Sequence, residues 1–138
     1  MNAIFADTFF WIALTDFQDQ SHEKAKSFAR STAQTTMFTT EEVLTEYLNY
    51  FAGWGARLRE KAAINVQSIL ESRTIHVVGQ TSASFRTGLT LYHARLDKGY
   101  SLTDCISMET MRSNGIADVL TNDAHFDQEG FRAVFRGR

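Results

Sequence analysis

Four short β-prone runs are separated by long helical stretches, and this alternation does most to limit the fold. The runs are Ala3 to Ala6, Thr35 to Thr39, Ile75 to Val78 and Ile116 to Thr121. A hairpin needs only a few residues between strands, whereas a parallel crossover needs about a dozen or more. The intervening stretches are of the second kind and carry helical spacing. Ala25, Phe28 and Ala29 form an i, i+3, i+4 stripe within Ser21 to Ala33. Ala62, Ala63, Val66, Ile69 and Leu70 make an apolar face within Arg57 to Ser72. Helices are also expected over Phe9 to Leu14 and Ser82 to Leu96. A turn or single helical turn at Asn122 to Phe126 and a short strand within Phe131 to Phe135 complete the chain. The expected class is α/β, with a central, mostly parallel sheet of four to five strands and helices on both faces.

Two helix starts are marked. Thr39-Thr40-Glu41-Glu42 matches a capping box with Thr39 as N-cap and Glu42 at the third helical position. The helix it opens carries Val43, Leu44, Tyr47, Leu48, Tyr50, Phe51 and Trp54, and Gly53 and Gly55 break it. Ser101-Leu102-Thr103-Asp104 is a second box, whose helix runs to about Ser113 and stops at Asn114-Gly115. The 138 residues contain no proline, repeat or low-complexity tract, so one domain over residues 1–138 is expected.

Several classes are disfavoured. No apolar run approaches the roughly 18 residues of a membrane span. The first residues lack the basic region of a secretory signal, and a cytoplasmic protein is expected. The single cysteine, Cys105, excludes an internal disulfide or a cysteine metal cage and reads as a small buried hydrophobe. His22, His76, His93 and His125 show no zinc-like spacing; His125 reads either as a substrate contact beside Asp123 or, more simply, as a surface residue. There is no P-loop, GxGxxG or nucleophile elbow. A net charge of −2 gives no electrostatic support for a nucleic-acid substrate.

The chemistry is expected from carboxylates. In open parallel sheets ligands bind outside the carboxyl ends of the strands. Asp7 ends the first run, Asp123 follows the fourth, and Asp104 sits in the first turn of the helix leading into that fourth run. Glu46 lies in the helix after the second run, where it can lean over the same rim. Each acid has a structural reading as well. Asp7 and Asp123 can cap helices, Asp104 belongs to a capping box, and Glu46 can be solvated. Apolar neighbours of Asp104 weigh against solvation: Leu102, Cys105, Ile106, Met108 and Met111 share its helix. Carboxylates gathered in low dielectric repel and stay partly protonated unless a cation neutralises them. Mg2+ and Mn2+ are the hard, oxygen-seeking ions for such a group.

These same segments resemble a PIN domain. They are Ala6-Asp7-Thr8, Glu46 in a helix, Leu102-Thr103-Asp104 and Leu120-Thr121-Asn122-Asp123-Ala124-His125-Phe126. Within that superfamily the chain resembles the VapC-type ribonuclease toxins over nearly its whole length. The resemblance implies a PIN-like fold and a cytoplasmic endoribonuclease dependent on Mg2+ or Mn2+. It also implies products with 5′-phosphate and 3′-hydroxyl ends, a homodimer, and a partner antitoxin. It assigns Asp7, Glu46, Asp104 and Asp123 to the catalytic quartet, with Asp7, Asp104 and Asp123 as principal metal ligands. Thr8 and Thr121 match supporting hydroxyls. Glu42 and Asp127 are spare acids beside Glu46 and Asp123.

The stripe Tyr47, Tyr50, Phe51 and Trp54 reads either as core or as the antitoxin-binding groove. Arg57, Arg59, Lys61, Arg86, Arg95, Lys98 and Arg112 are candidate phosphate contacts, with a solvated helix face as the plain alternative. Rival functions are a non-toxin RNA-processing nuclease and a non-catalytic RNA- or protein-binding module. A phosphoacceptor domain is disfavoured, because it wants paired acids after the first strand and an aspartate after the third. The sequence has a lone Asp7 and then Val78-Gly79. A DNA-directed nuclease would be expected to carry long insertions.

Overall fold

The computed structural model describes residues 3–136. In chain order the elements are β1 (Ile4–Ala6), α1 (Thr8–Thr15), α2 (His22–Ser31), β2 (Met37–Thr40), α3 (Glu41–Tyr50) and α4 (Ala56–Glu71). They continue with β3 (Ile75–Val78), α5 (Ser82–Ala94), α6 (Leu102–Ser113), β4 (Asp118–Leu120), α7 (Ala124–Gln128) and β5 (Arg132–Ala133). The five strands form one sheet in the order β3-β2-β1-β4-β5, and every pair is parallel. Helices cover both faces. The expected α/β class therefore holds, and the short last strand is present at the β4 edge.

The strand order explains where a site can form. The chain steps outward from β1 to β2 and β3, then crosses back to place β4 on the other side of β1. The gap above the carboxyl ends of β1 and β4 is thus the topological switch point, where crossovers diverge and leave a crevice. Register sets what lines it. Ala6 pairs with Leu120, so Asp7 and Thr121 follow side by side.

The core holds this framework rigid. Phe5, Ala6, Val119 and Leu120 are wholly buried in the two central strands, with Phe10, Val43, Met108, Met111 and Phe126 packed from the helices. Each large apolar side chain removed from water contributes about 1.5–3 kcal/mol. Cys105 is buried within the same core, as its hydrophobic reading required. Among the described residues no helix is long and apolar enough to cross a membrane.

One helix start differs from expectation. The N-cap of α3 is Thr40, whose hydroxyl accepts from the Val43 backbone N–H at 3.0 Å. Thr39 is instead a buried strand residue. Its hydroxyl donates to the Ala6 carbonyl at 2.9 Å and accepts from Trp11 Nε1 at 3.3 Å, stitching β2 to β1 and α1. The cap shifts by one residue because Thr39 satisfies a buried carbonyl that Thr40 does not reach. Glu42 consequently falls one position short of a capping box. The Ser101–Asp104 box is as expected.

The α5–α6 contact depends on Gly88. A Cβ built there would stand 2.5 Å from Ile106 Cγ1 and 3.4 Å from the Ile106 nitrogen. Overpacking costs about 1–3 kcal/mol, against a helix-propensity gain of about 0.5–1 kcal/mol. Gly88→Ala is therefore expected to lower Tm by several degrees in a thermal melt. An unchanged Tm would mean that the Ile106 side chain yields without cost.

Candidate active site

Asp7 stands at the end of β1 and in the N-cap position of α1, yet its side chain makes no capping bond. The capping explanation of this acid therefore fails. The residue is 6% exposed, and its Oδ2 accepts a hydrogen bond from Thr121 Oγ1 at 2.9 Å. Burial, and next the charge of Asp104, push its carboxyl up to about 7, against the lowering effect of the Thr121 bond. Glu46 adds a smaller push in the same direction. A carboxylate left this poorly solvated takes up either a proton or a cation.

Asp104 is placed by the α6 cap. Ser101 N–H donates to its Oδ2 at 3.2 Å while its own N–H donates to Ser101 Oγ at 2.9 Å. Burial raises its pKa, and the charge of Asp123 adds to this, while the Ser101 and His125 contacts oppose it. Asp123 is the N-cap of α7, its Oδ1 accepting from His125 N–H at 2.9 Å. Here the capping reading is correct, and it coexists with a place in the cluster. Thr121 joins the two strand ends, because the same hydroxyl that donates to Asp7 accepts the Asp123 N–H at 3.2 Å.

Glu46 reaches the group from α3, and its Oε1 accepts the Thr8 hydroxyl. It lines a small cleft of about 240 Å³ with Glu42, Thr45, Asn49, Gln80 and Thr103. Glu42, Gln80 and Thr103 also border a larger open groove of about 710 Å³, together with Phe85 and Arg86. A groove thus leads away from the acids along α5 and α6. Both predicted hydroxyls therefore act on acids of the quartet, Thr121 on Asp7 and Thr8 on Glu46.

Of the two spare acids, Glu42 shares the cleft with Glu46 and Asp127 has other neighbours. Asp127 accepts from the Ala133 N–H at 3.0 Å and from Arg136 Nε at 2.7 Å, so it fastens β5 to α7 rather than facing the acid group. The aromatic stripe divides. Tyr47 and Phe51 are buried in the core, which corrects their assignment to a partner groove, whereas Tyr50 and Trp54 are nearly half exposed. Tyr47 is tied down by hydrogen-bond contacts of its hydroxyl with Thr15 at 2.6 Å and Asn65 at 3.1 Å.

Two features escaped the sequence. His125 is not a bystander: its Nδ1 lies 3.4 Å from Asp104 Oδ2 and 3.4 Å from Asp123 Oδ1. Glu129, behind it, is nearly buried. It takes a two-pronged bond from Arg95 and further bonds from Arg112 and the Tyr100 hydroxyl. The Arg95 bonds, with those from Tyr100 and Arg112, hold its carboxyl down at about 2. Arg95 and Arg112 are therefore committed to the fold rather than free for phosphate. Arg59 and Lys61 likewise bond the Ala52 and Thr15 carbonyls.

This donor set is what a hard divalent cation requires. The acids supply oxygens at the mouth of a rigid crevice, one of them too buried to ionise freely alone. Asp104, Asp123 and His125 offer ligand atoms all within 4.8 Å of one another. Asp7 adjoins them through its electrostatic contact with Asp104. The residues present thus fit Mg2+ or Mn2+.

Comparison with known proteins identifies the family. A family profile described as PIN domain matches residues 4–131. Sequences from two strains of Mycobacterium tuberculosis, both described as the 23S rRNA-specific endonuclease VapC20, are 32% identical over 134 residues. The match spans 95% of this chain and 97% of theirs. The crystal structure of Mycobacterium tuberculosis VapC20, described as a sarcin-ricin loop cleaving toxin, superposes with a TM-score of 0.81 at 29% identity. That match covers 95% of this chain and 98% of the other. VapBC2 from Rickettsia felis, solved on a DNA fragment from its promoter, matches in fold alone, with a TM-score of 0.68 and 12% identity. It covers 95% of this chain and 96% of that one. With its acids gathered at the switch point of a parallel sheet, the chain belongs to the PIN-domain family, among its VapC-type ribonucleases.

Proposed function

We propose that the chain is a Mg2+- or Mn2+-dependent endoribonuclease that cuts a loop of large-subunit ribosomal RNA, as the toxin of a toxin–antitoxin pair in the cytoplasm. The observation that carries the metal-dependent chemistry is Asp7, buried at the switch point beside Asp104 with its carboxyl pushed up to about 7; the ribosomal substrate and the toxin role rest on the likeness to VapC20. A purely structural acid gains nothing from such a position, whereas a metal ligand does. The full set of four acids also weighs against a non-catalytic binding module.

Asp7, Asp104 and Asp123 would hold the ion, which supplies charge to offset that building on the scissile phosphate and to acidify an attacking water. The rest falls to the chain. Thr121 fixes the Asp7 carboxylate, Ser101 fixes Asp104, and the α7 cap fixes Asp123, so no ligand must reorganise. Glu46, exposed at the mouth and oriented by Thr8, is placed to accept a proton from the water. The adjoining cleft lined by Thr45, Asn49, Gln80 and Thr103 gives the RNA strand a way out.

The experiment is cleavage mapping on intact ribosomal and total cellular RNA, with and without Mn2+. A single dominant metal-dependent cut in large-subunit RNA, leaving a 5′-phosphate, supports the reading. Absence of cutting on every RNA refutes it. A further expectation follows from Asp7, which must lose its proton to bind the ion. Apparent Mn2+ affinity should rise about tenfold between pH 6 and pH 8, measured by titration calorimetry.

The antitoxin is assigned to the surface around Trp54. Its ring packs on Tyr50 at 5.3 Å and lines a cleft of about 640 Å³ with Phe17, Arg57, Leu58, Lys61 and Ile64. Phe17 and Ile64 are exposed apolar residues in the same cleft. Trp54→Ala should weaken antitoxin binding by roughly thirtyfold or more while leaving cleavage unchanged. A homodimer is assigned to α5, whose exposed Phe85, Leu89 and Tyr92 recur at helical spacing.

A further inference from the structure

We propose that His125 supplies a nitrogen ligand to the ion held by Asp104 and Asp123, and that this tunes the site toward Mn2+ over Mg2+. The assignment rests on the metal-dependent reading above. His125 begins from a fixed point, since its backbone N–H is held by Asp123 Oδ1 at 2.9 Å. From there the ring turns Nδ1 toward two carboxylates at once, 3.4 Å from each. That distance is long for a strong N–H···O bond, which lies at about 2.7–3.2 Å. It suits donors that share an ion, because ligands about 2.0–2.2 Å from a common centre stand roughly 3–3.5 Å apart.

The ring is also held from behind. Tyr100 packs on it with ring centroids 5.2 Å apart, and the Tyr100 hydroxyl is anchored 2.8 Å from Glu129 Oε1. Arg95 and Arg112 fix Glu129 in turn. Gly99 passes close to the far edge, where a Cβ would meet His125 Nε2 at 3.9 Å. A ring packed in this way, with one nitrogen aimed at two carboxylates, is placed to serve as a ligand beside them. Chemistry then separates the two ions. Mg2+ is served by oxygen alone and keeps much of its water, whereas Mn2+, a transition ion, gains more from an imidazole.

The test combines titration calorimetry with pulsed paramagnetic resonance of the Mn2+-loaded protein, for wild type and His125→Ala. Wild type should show coupling of the Mn2+ electron spin to a nitrogen nucleus. The variant should lose that coupling and bind Mn2+ about tenfold more weakly or worse, with a smaller loss for Mg2+. Equal melting temperatures in chelator check that the variant is folded, and the wild-type spectrum needs no variant at all. Intact Mn2+ binding without nitrogen coupling overturns this assignment alone. Wild-type protein that binds no Mn2+ overturns both it and the metal-dependent reading.

Discussion

Asp7→Asn is expected to abolish RNA cleavage and, in the same protein, to raise the melting temperature of the metal-free form. The first effect follows from the loss of a ligand charge at the centre of the cluster. Losing groups that merely support metal ligands costs about 10–100-fold, so removing a ligand should leave less than about one-hundredth of the wild-type rate. The second follows from proton linkage. In the fold the Asp7 carboxyl titrates at about 7 because of burial and the charge of Asp104, against an ordinary value of 3.8. Between those values the folded protein keeps a proton that the unfolded chain has released. Stability therefore falls as pH rises across that window, and the deficit is complete above about pH 7. Asparagine cannot ionise and carries no such deficit, and its amide oxygen can still accept the Thr121 hydroxyl. The gain should be on the order of 2–4 kcal/mol at pH 8 and vanish near pH 4. Melts in chelator across that range decide the matter. A variant less stable than wild type at pH 8 would mean that Asp7 is a structural acid.

Removing the metal from the wild type should likewise end cleavage, but with the opposite effect on stability. Excess chelator is expected to reduce cleavage to background and to lower Tm, with Mn2+ restoring both. At free metal one hundred times the dissociation constant, binding adds about 2.7 kcal/mol to stability. Asp104→Asn should lose this metal-dependent rise in Tm along with activity. Cleavage that persists in chelator, or a Tm indifferent to Mn2+, contradicts the scheme. The two results are linked: the charge that destabilises the empty cluster is the charge that binds the ion.

Much of this is legible in the sequence. Period and spacing give the parallel α/β order, and acids at the ends of Ala3–Ala6 and Ile116–Thr121 point to one rim of a parallel sheet. The parts that were not legible share a physical cause, which is dependence on a side chain's partner rather than its neighbours in sequence. Thr39 and Thr40 look alike as caps until one is needed for the Ala6 carbonyl. Glu129 looks like a solvated acid after a short helix until Arg95 and Arg112 arrive from elsewhere. His125 looks like a surface residue because nothing local places Asp104 beside it. The aromatic stripe was partly decidable. Val43, Leu44, Tyr47 and Phe51 make the core face, Tyr50 sits at its flank, and Trp54 lies beyond the end of α3.

Everything here depends on acids from β1, α6 and the β4–α7 turn sharing one divalent ion. Anomalous diffraction from crystals grown with Mn2+ and collected at the manganese edge tests this most directly. The expected result is a strong peak bounded by the carboxylates of Asp7, Asp104 and Asp123, absent from crystals of Asp7→Asn. No peak at that rim, or manganese bound only elsewhere on the molecule, would contradict it.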